Sequence, residues 1–287
     1  MADLLARLQF GEILVSDGAM STMLQGQGLT SGACPEEWNV SHPDAVKSVH
    51  KAYIESGSDI ISTNTFGGNP LKLQRYGLES QVKELNGAGV RLAKQLAGEK
   101  VFVAASIGPT GHLLEPLGEL SIEDAQAAFK SQSEAVAEAG ADAILLETFF
   151  DITEIEAAVN AALPTGLPII CTMTFDANGR TIMGVDAASA ARALVEMGAN
   201  VIGTNCGMGP EAMLPIVETM AASGVLVMAQ PNAGLPEVDH GETKYSVTPE
   251  MMADYAQRFV AAGARIVGGC CGSTPDHIAA ISRAVKK

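Results

Sequence analysis

The chain has 287 residues, of which 47% are hydrophobic, 18% charged and 5% aromatic. This composition is typical of a globular protein with a buried core, and it excludes a disordered or collagen-like chain. Eighteen basic residues against 33 acidic ones give a formal net charge of −15, which disfavours binding to nucleic acids and anionic membranes. No apolar run approaches the length of about 18 residues that a spanning helix needs, and no secretion signal is evident. We therefore expect a soluble, cytoplasmic protein.

Eight short apolar runs, each followed by a segment with helical spacing, predict the architecture. The predicted strands are, in chain order, Ile13–Ser16, Asp59–Thr63, Val101–Ser106, Ala143–Glu147, Pro168–Thr174, Asn200–Thr204, Val225–Gln230 and Arg265–Gly268. The predicted helices that follow them are Pro43–Ser56, Glu79–Ala97, Ile122–Ala139, Ile152–Ala161, Ala187–Met197, Glu211–Ala222, Pro249–Ala261 and Pro275–Val285.

Glycines at helix ends indicate how these units connect. Gly140, Gly198 and Gly263 each follow a predicted helix and directly precede the next strand, as a left-handed residue beyond a helix end does. Short turns between alternating strands and helices require a parallel sheet. Eight such units without a linker predict a single α/β domain over residues 1–287. We expect a (β/α)₈ TIM barrel whose active site lies at the C-terminal ends of the strands. A doubly wound open sheet is the alternative.

Three of the five cysteines follow predicted strands at that end of the barrel. Cys206 follows the sixth strand, and Cys270 and Cys271 follow the eighth. Thiolates select zinc, and three protein ligands with one open position are typical of a catalytic zinc site. Adjacent residues on a regular strand point to opposite faces, so Cys270 and Cys271 can share an ion only where the backbone leaves extended geometry. The glycines around them allow this. These positions alone leave open a metal site, inert thiols and redox-active thiols, including a disulfide between neighbours.

The remaining cysteines and the histidines carry weaker signals. We expect Cys34 and Cys171 to be buried as small apolar residues, which is the commonest fate of a single cysteine. No two histidines have the spacing of a zinc-ligand pair. We expect all five to lie on surfaces or helix caps: His42, His50, His112, His240 and His277.

Several motifs together resemble the homocysteine S-methyltransferase family over nearly the whole chain. They are D-G-A-M-S-T, N-T-F-G, G-T-N-C-G, P-N-A-G-L-P and V-G-G-C-C-G-S-T-P-D-H-I. The order of P-N-A-G-L-P, G-x-T-x-Y and T-P-E-x-M-A is most similar to the homocysteine-binding module of the cobalamin-dependent methionine synthase branch. The resemblance implies a TIM barrel in which Cys206, Cys270 and Cys271 hold zinc. It also implies that homocysteine is methylated to methionine, with methylcobalamin on a partner corrinoid protein or domain as the donor.

The chemistry expected of such a site follows from thiol acidity. A free alkyl thiol has a pKa of about 8.5 and is mostly protonated at neutral pH, whereas the thiolate is the nucleophile. Coordination to zinc removes the proton. Three cysteine thiolates make the zinc site negative overall, so the substrate sulfur keeps its electron density and remains nucleophilic.

The resemblance also assigns contacts to the amino-acid part of the substrate. Asp17 and Glu147 end the first and fourth predicted strands, where they can meet an ammonium group, and they match the amino-group contacts of the family. The backbone N–H groups of Gly18, Ala19 and Met20 are expected to face the carboxylate.

Further residues near the strand ends have two interpretations each. Asn232 either supplies its amide oxygen to the metal when no substrate is bound, or it only shapes the turn before Ala233. Asn64 and Thr65 either bind polar atoms of the substrate or brace their loop. We expect the long first loop, which carries Cys34, to fold over the pocket.

Two other functions remain open from the sequence. One keeps the barrel and the zinc but uses a sulfonium or betaine donor, or a different thiol acceptor. The other is a non-enzymatic thiol redox or metal-binding protein in which Cys270 and Cys271 pair.

Overall fold

A computed structural model describes residues 3–239 and 242–286. Its strands are β1 (Leu14–Val15), β2 (Ile60–Ser62), β3 (Phe102–Ile107), β4 (Ala143–Phe149), β5 (Ile169–Met173), β6 (Val201–Cys206), β7 (Leu226–Pro231), β8 (Glu237–Asp239), β9 (Glu242–Lys244) and β10 (Ala264–Val267). Eight of them form one parallel sheet in the order β1-β10-β7-β6-β5-β4-β3-β2, and β8 and β9 form a separate antiparallel hairpin. A parallel bridge between Ser16 and Ile60 brings β1 beside β2. The single TIM barrel is therefore confirmed, and the open sheet is excluded because its two edges meet.

The predicted strands all occur, with ends that differ by at most two residues. The largest differences are at β4 and β6, which continue beyond the predicted ends to Phe149 and Cys206. The polar residues at these positions suggested that both strands had ended. In the structure, hydrogen bonds that join Asn205 of β6 with Glu147 and Thr148 of β4 supply partners for these polar groups inside the barrel.

The described helices surround the barrel. They are α1 (Leu4–Gln9), α2 (Met20–Gln25), α3 (Trp38–Ser41), α4 (Pro43–Glu55), α5 (Pro70–Leu73), α6 (Val82–Ala97), α7 (Ile122–Glu138), α8 (Ile152–Ala162), α9 (Ala187–Glu196), α10 (Pro210–Ala221), α11 (Pro249–Ala262) and α12 (Pro275–Val285). Short 3₁₀ turns cover Pro35–Glu37, Gln74–Tyr76, Glu79–Gln81 and Leu163–Thr165. The predicted left-handed glycines are confirmed, with φ of +93° at Gly140 and Gly198 and +114° at Gly263. Among these helices, none is both long enough and apolar enough to cross a membrane.

The barrel interior has an apolar lower half and a polar upper half. Alternate residues of the strands, such as Ile60, Leu145 and Met228, fill the lower half, and Leu4 and Leu8 of α1 close its base. The residues between them face outwards and pack against the helices in a larger apolar cluster. This packing holds the strand ends rigidly, so the upper polar half can position reactive groups.

Candidate metal and substrate site

The upper half of the barrel is lined by the polar residues that continue the inward alternation of the strands. Seven of the eight barrel strands continue this alternation with a polar side chain that points into the same interior. The members of this layer are Ser16, Ser62, Ser106, Glu147, Thr172, Asn205 and Gln230. The chain thus places hydrogen-bonding groups from seven strands at the predicted end of the barrel.

Three thiols converge at this end. The Sγ atoms of Cys206, Cys270 and Cys271, hereafter the cysteine trio, all lie within 4.8 Å of one another. The Sγ atoms of Cys206 and Cys271 are 3.9 Å apart. All five cysteines of the chain are free, so the trio contains no disulfide. The predicted clustering is confirmed, and the disulfide between Cys270 and Cys271, which the sequence left open as an alternative, does not form in the structure.

The backbone around the trio leaves extended geometry, as the sequence requires. Strand β10 ends at Val267, and the N–H of Ser273 donates to the carbonyl of Cys270 at 3.1 Å, which closes a turn. Gly272 has φ of +76°, and a Cβ atom there would lie 2.2 Å from the ring of Tyr245. Only glycine fits this position. Cys206 also has positive φ, +59°, a strained conformation for a residue with a side chain.

The thiols interact electrostatically because they lie so close together. Hydrogen bonds from Cys270 and Cys271 hold the pKa of Cys206 well below its usual value of 9.0. The same contacts, with burial, raise the pKa values of Cys270 and Cys271. Negative charge in the trio therefore concentrates on Cys206.

Asn232 connects the loops that carry the trio. Its Oδ1 accepts from the N–H of Cys271 at 3.1 Å, and its Nδ2 donates to the carbonyl of Gly207 at 2.8 Å. The side chain is 5% exposed. This bracing of the two loops is a role that the sequence did not indicate, and ligation of the metal by Asn232 stays a prediction.

Two carboxyl groups lie near the trio, the buried Asp17 and the half-buried Glu147. Asp17 accepts from the N–H of Ser62 at 2.7 Å and from its hydroxyl at 3.0 Å. Glu147 accepts from the hydroxyl of Ser106 and, at 3.1 Å, from Nδ2 of Asn205. Burial raises the pKa of Asp17 to about 8 and that of Glu147 to about 7, although the hydrogen bonds from Ser62 and Ser106 oppose these shifts. Glu147 lines the cavity, whereas Asp17 lies behind its wall.

Asn205 is a buried residue of the candidate site that the sequence did not single out. Its Oδ1 accepts from the N–H of Thr148 and the hydroxyl of Thr172, both at 2.8 Å. Its Nδ2 donates to Glu147 and, at 2.8 Å, to the hydroxyl of Thr148. Thr148 has φ of +65°, so Asn205 holds a strained residue between Glu147 and the trio. The inward alternation of β6 from Val201 could have identified it.

The loop after β1 is tied to the loop that carries Cys270. The N–H of Ala19 donates to the carbonyl of Ser273 at 3.4 Å. The hydroxyl of Tyr53 lies 2.9 Å from the carbonyl of Ala19 and 3.0 Å from that of Ser273. Because Ala19 N–H already has a partner, the N–H groups of Gly18 and Met20 are better placed for the carboxylate that the sequence assigned to this loop.

The remaining predicted residues have structural partners. Asn64 lines the cavity and donates to the carbonyl of Pro35 at 2.7 Å, so it braces the first loop as well as facing the pocket. Thr65 is fully buried and bonds the carbonyl of Ser106 at 2.7 Å. Cys34 and Cys171 are buried, as expected.

The histidine prediction was wrong at one position. His50 is fully buried in α4, and neither ring nitrogen has a hydrogen-bond partner among the described residues. Packing against the barrel overrides the surface position that its polarity suggested. His42 and His112 are exposed, and His277 forms part of the cap of α12. His240 lies outside the described residues.

These groups surround one cavity of about 450 Å³ at the mouth of the barrel. The cysteine trio and Glu147 line one part of it, and Pro35 and Glu36 of the first loop line another. The expectation that this loop folds over the pocket is therefore confirmed. A cavity of this size falls in the range of about 300–1,000 Å³ that accommodates small-molecule ligands.

Three free thiols and two carboxyl groups at a cavity place the protein among TIM barrels with a small-molecule cavity at the C-terminal ends of the strands. The chain belongs to the homocysteine S-methyltransferase family, whose sequence model matches residues 14–285.

Relatives of known sequence and structure agree with this membership. The chain is 33% identical to methionine synthase of Mycobacterium leprae over 295 residues, which cover 96% of the chain and 24% of that protein. Methionine synthase of Mycobacterium tuberculosis is also 33% identical, and the match covers 24% of that protein. The chain therefore spans about a quarter of the length of these two relatives. The metallated homocysteine methyltransferase MmuM of Escherichia coli has a TM-score of 0.81 and 27% identity, covering 97% of this chain and 98% of that one. Its apo form has a TM-score of 0.75.

Proposed function

We propose that this chain is a zinc-dependent methyltransferase that binds homocysteine as a thiolate and converts it to methionine. The donor is methylcobalamin carried by a partner corrinoid protein or domain. The observation that carries the proposal is the cysteine trio, whose Sγ atoms lie within 4.8 Å of one another and line the same cavity as Glu147. The reduced state of the cysteines fits a reaction in the cytoplasm.

The spacing of the trio fits a zinc ion. Zinc–sulfur bonds of about 2.3 Å in a tetrahedral site place two sulfur ligands about 3.8 Å apart. The Sγ atoms of Cys206 and Cys271 are 3.9 Å apart, and Cys270 completes a set that needs only small rotations. Zinc held there supplies a position at which a substrate thiol loses its proton and stays nucleophilic. The similarity to a metallated relative supports this assignment.

The chain's own groups bind and orient the amino-acid part of homocysteine. Glu147 faces the cavity, and burial raises its pKa to about 7. An ammonium group that approaches it favours the carboxylate form, because an opposite charge stabilises the ionised acid. Asp17, held by Ser62 behind the wall, repels the charged form of Glu147, so two negative charges are disfavoured there until a cation binds. Ammonium binding therefore expels a proton from this pair.

The amide of Asn232 and the network of Asn205 keep the reacting sulfur atoms in place. Asn232 fixes the backbone of Cys271, and Asn205 fixes the end of β4 beside Cys206. Rigid positioning lowers the barrier to transfer of a methyl group because the acceptor sulfur is already aligned. Asn232 is also the proposed fourth ligand before substrate binds, and Asn64 lines the cavity where it can meet polar substrate atoms.

The corrinoid donor is supported by the relatives. Methionine synthases of about four times this length contain a segment that is 33% identical to this chain. The remaining three quarters of those proteins have room for a domain that carries the methyl donor. This chain then acts on the homocysteine side, and the methyl group arrives from a partner. A directly used sulfonium or betaine donor is the competing arrangement, supported by the similarity to a homocysteine methyltransferase that the whole chain matches end to end.

Calorimetry with homocysteine tests the acceptor. We expect binding to zinc-loaded protein and at least tenfold weaker binding to metal-stripped protein, because coordination of the thiol supplies affinity. Methionine, which has the same charged groups without a free thiol, is the control and should bind both forms equally. Equal affinity of homocysteine for both forms would contradict the proposal.

Methyl transfer identifies the donor. The zinc-loaded chain is mixed with homocysteine and with methylcobalamin, a sulfonium donor or betaine in separate reactions, and methionine is measured. We expect methionine from methylcobalamin. Activity with the sulfonium or betaine alone would replace the corrinoid donor by a small molecule and would leave the thiol chemistry intact.

A further inference from the structure

Two cationic side chains lie at the rim of the cavity, on the segment that follows β2. Lys72 belongs to α5, where Asn69 caps the N–H of Lys72 at 2.9 Å, and Arg75 lies in the next turn. Both line the cavity. A Cβ atom built on Gly111 would lie 3.0 Å from Nη2 of Arg75 and 3.5 Å from Cε of Lys72, so the two cations flank one point.

Among the described residues, Lys72 forms no ion pair. Its Nζ lies 4.3 Å from the centre of the Phe66 ring, and Glu36, Glu154 and Glu147 attract it only from beyond ion-pair distance. Burial lowers the pKa of Lys72 from 10.5, because removing water from the ammonium group disfavours its charged form. Arg75 donates to the carbonyl of Gly111 at 3.0 Å, and its other N–H groups have no protein partner among the residues that the structure describes.

The nearest acids are already bonded to other groups. Glu36 accepts from the N–H of Gly67 at 2.5 Å and from the thiol of Cys34 at 3.2 Å. Glu154 accepts from the N–H of Thr110 at 2.7 Å and from its hydroxyl at 2.6 Å. These bonds occupy oxygens of both carboxylates, although their charges still attract the Lys72 ammonium. Within the described part of this acidic chain, Lys72 and Arg75 therefore lie at the mouth of the cavity without an ion pair.

We propose that Lys72 and Arg75 form an oxyanion-binding subsite at the rim of the cavity, which takes a carboxylate or phosphate group of a bound ligand. Arginine binds such groups through parallel N–H bonds, and lysine adds a point charge. The subsite lies in the same cavity as the trio, so its role in catalysis rests on the proposed function, whereas its affinity for an anion does not. The oxyanion comes from one of two sources, the carboxylate of the thiol substrate or an anionic group of a second ligand.

Anion binding is measured first on the metal-free full chain, with inorganic phosphate as the probe in calorimetry. We expect Lys72→Met and Arg75→Gln each to weaken phosphate binding about tenfold, as the loss of a charge-assisted contact does. Lys83→Met is the matched control, because Lys83 is 80% exposed on α6 and pairs with Glu138 at 2.6 Å, away from the cavity. Arg75 is exposed, so Arg75→Gln tests the subsite even where Lys72→Met does not fold. Equal phosphate binding by wild type and both variants would overturn the subsite.

The source is identified on zinc-loaded protein with two thiols. Homocysteine carries a carboxylate, and 3-aminopropane-1-thiol is the same molecule without it. If Arg75→Gln weakens homocysteine binding and not that of the aminothiol, the subsite holds the substrate carboxylate. If it weakens phosphate binding and affects neither thiol, the subsite belongs to a second ligand. Because the phosphate titration needs neither zinc nor methyl transfer, its failure leaves the proposed function standing, and failure of methyl transfer leaves the subsite standing.

Discussion

Replacement of Asn205 by alanine tests whether the network between β4 and β6 holds the site. Four hydrogen bonds of 2.8–3.1 Å are lost, to Glu147, Thr172 and both polar groups of Thr148. Each contributes about 1 kcal/mol, and the side chain is fully buried, so the free energy of unfolding should fall by about 4 kcal/mol. Urea denaturation followed by circular dichroism measures this change.

A matched control lies on the same strand of the barrel. Asn200, at the opposite end of β6 and exposed, accepts one hydrogen bond from the N–H of Ile169 at 2.8 Å. Asn200→Ala should therefore cost about 1 kcal/mol. If Asn205→Ala destabilises the protein no more than Asn200→Ala, the network does not carry the stability assigned to it.

The same pair of variants separates stability from binding. Without Asn205, Thr148 is free to leave its strained φ of +65°, and Glu147 loses one of its two side-chain partners beside Cys206. We expect the affinity of zinc-loaded protein for homocysteine to fall at least tenfold in Asn205→Ala and to stay unchanged in Asn200→Ala. Unchanged affinity in a folded Asn205→Ala protein would refute the positioning role.

Three further predictions concern thiols, pH and loop anchoring. Thiol titration should find the trio unreactive with zinc and three additional reactive thiols after chelation, since Cys34 and Cys171 are buried. Burial lowers the pKa of His50 from 6.5 to about 4. The free energy of unfolding should therefore be highest above pH 6.5 and fall by about 3 kcal/mol as the pH drops to 4, because the unfolded chain takes up the proton first. His50→Leu should abolish this loss of stability at low pH, and exposed His112→Leu should leave it unchanged. Tyr53→Phe should cost about 1–2 kcal/mol in urea denaturation and weaken homocysteine binding, because the loops after β1 and β10 lose their shared hydroxyl.

Each of these has an outcome that contradicts it. Full reactivity of the trio in zinc-loaded protein would show that zinc is not bound by these thiols. An unchanged acid dependence of unfolding in His50→Leu would show that another group causes it. Wild-type homocysteine affinity in Tyr53→Phe would confine the hydroxyl to a structural role.

Much of the site was accessible from the sequence because it depends on position along single strands. The end of each strand in a parallel barrel lies at one face, so Cys206, Cys270 and Cys271 had to approach one another once eight strands were recognised. The same rule located Glu147 correctly at the cavity. The rule also placed Asp17 at this end of the barrel. It did not predict that Asp17 lies behind the cavity wall, because the direction of that side chain depends on its hydrogen bond with Ser62.

The sequence by itself determined the eight strand–helix units and the location of the thiols, because strand alternation, helix spacing and turn glycines act over a few neighbouring residues. Tertiary structure alone decided the hydrogen bonds of Asn205, the burial of His50 and the position of Lys72 over the ring of Phe66. Each of these depends on residues far apart in the chain that meet only when the barrel closes. Local patterns carry no information about such neighbours, so the partner of a buried polar group emerges only from packing.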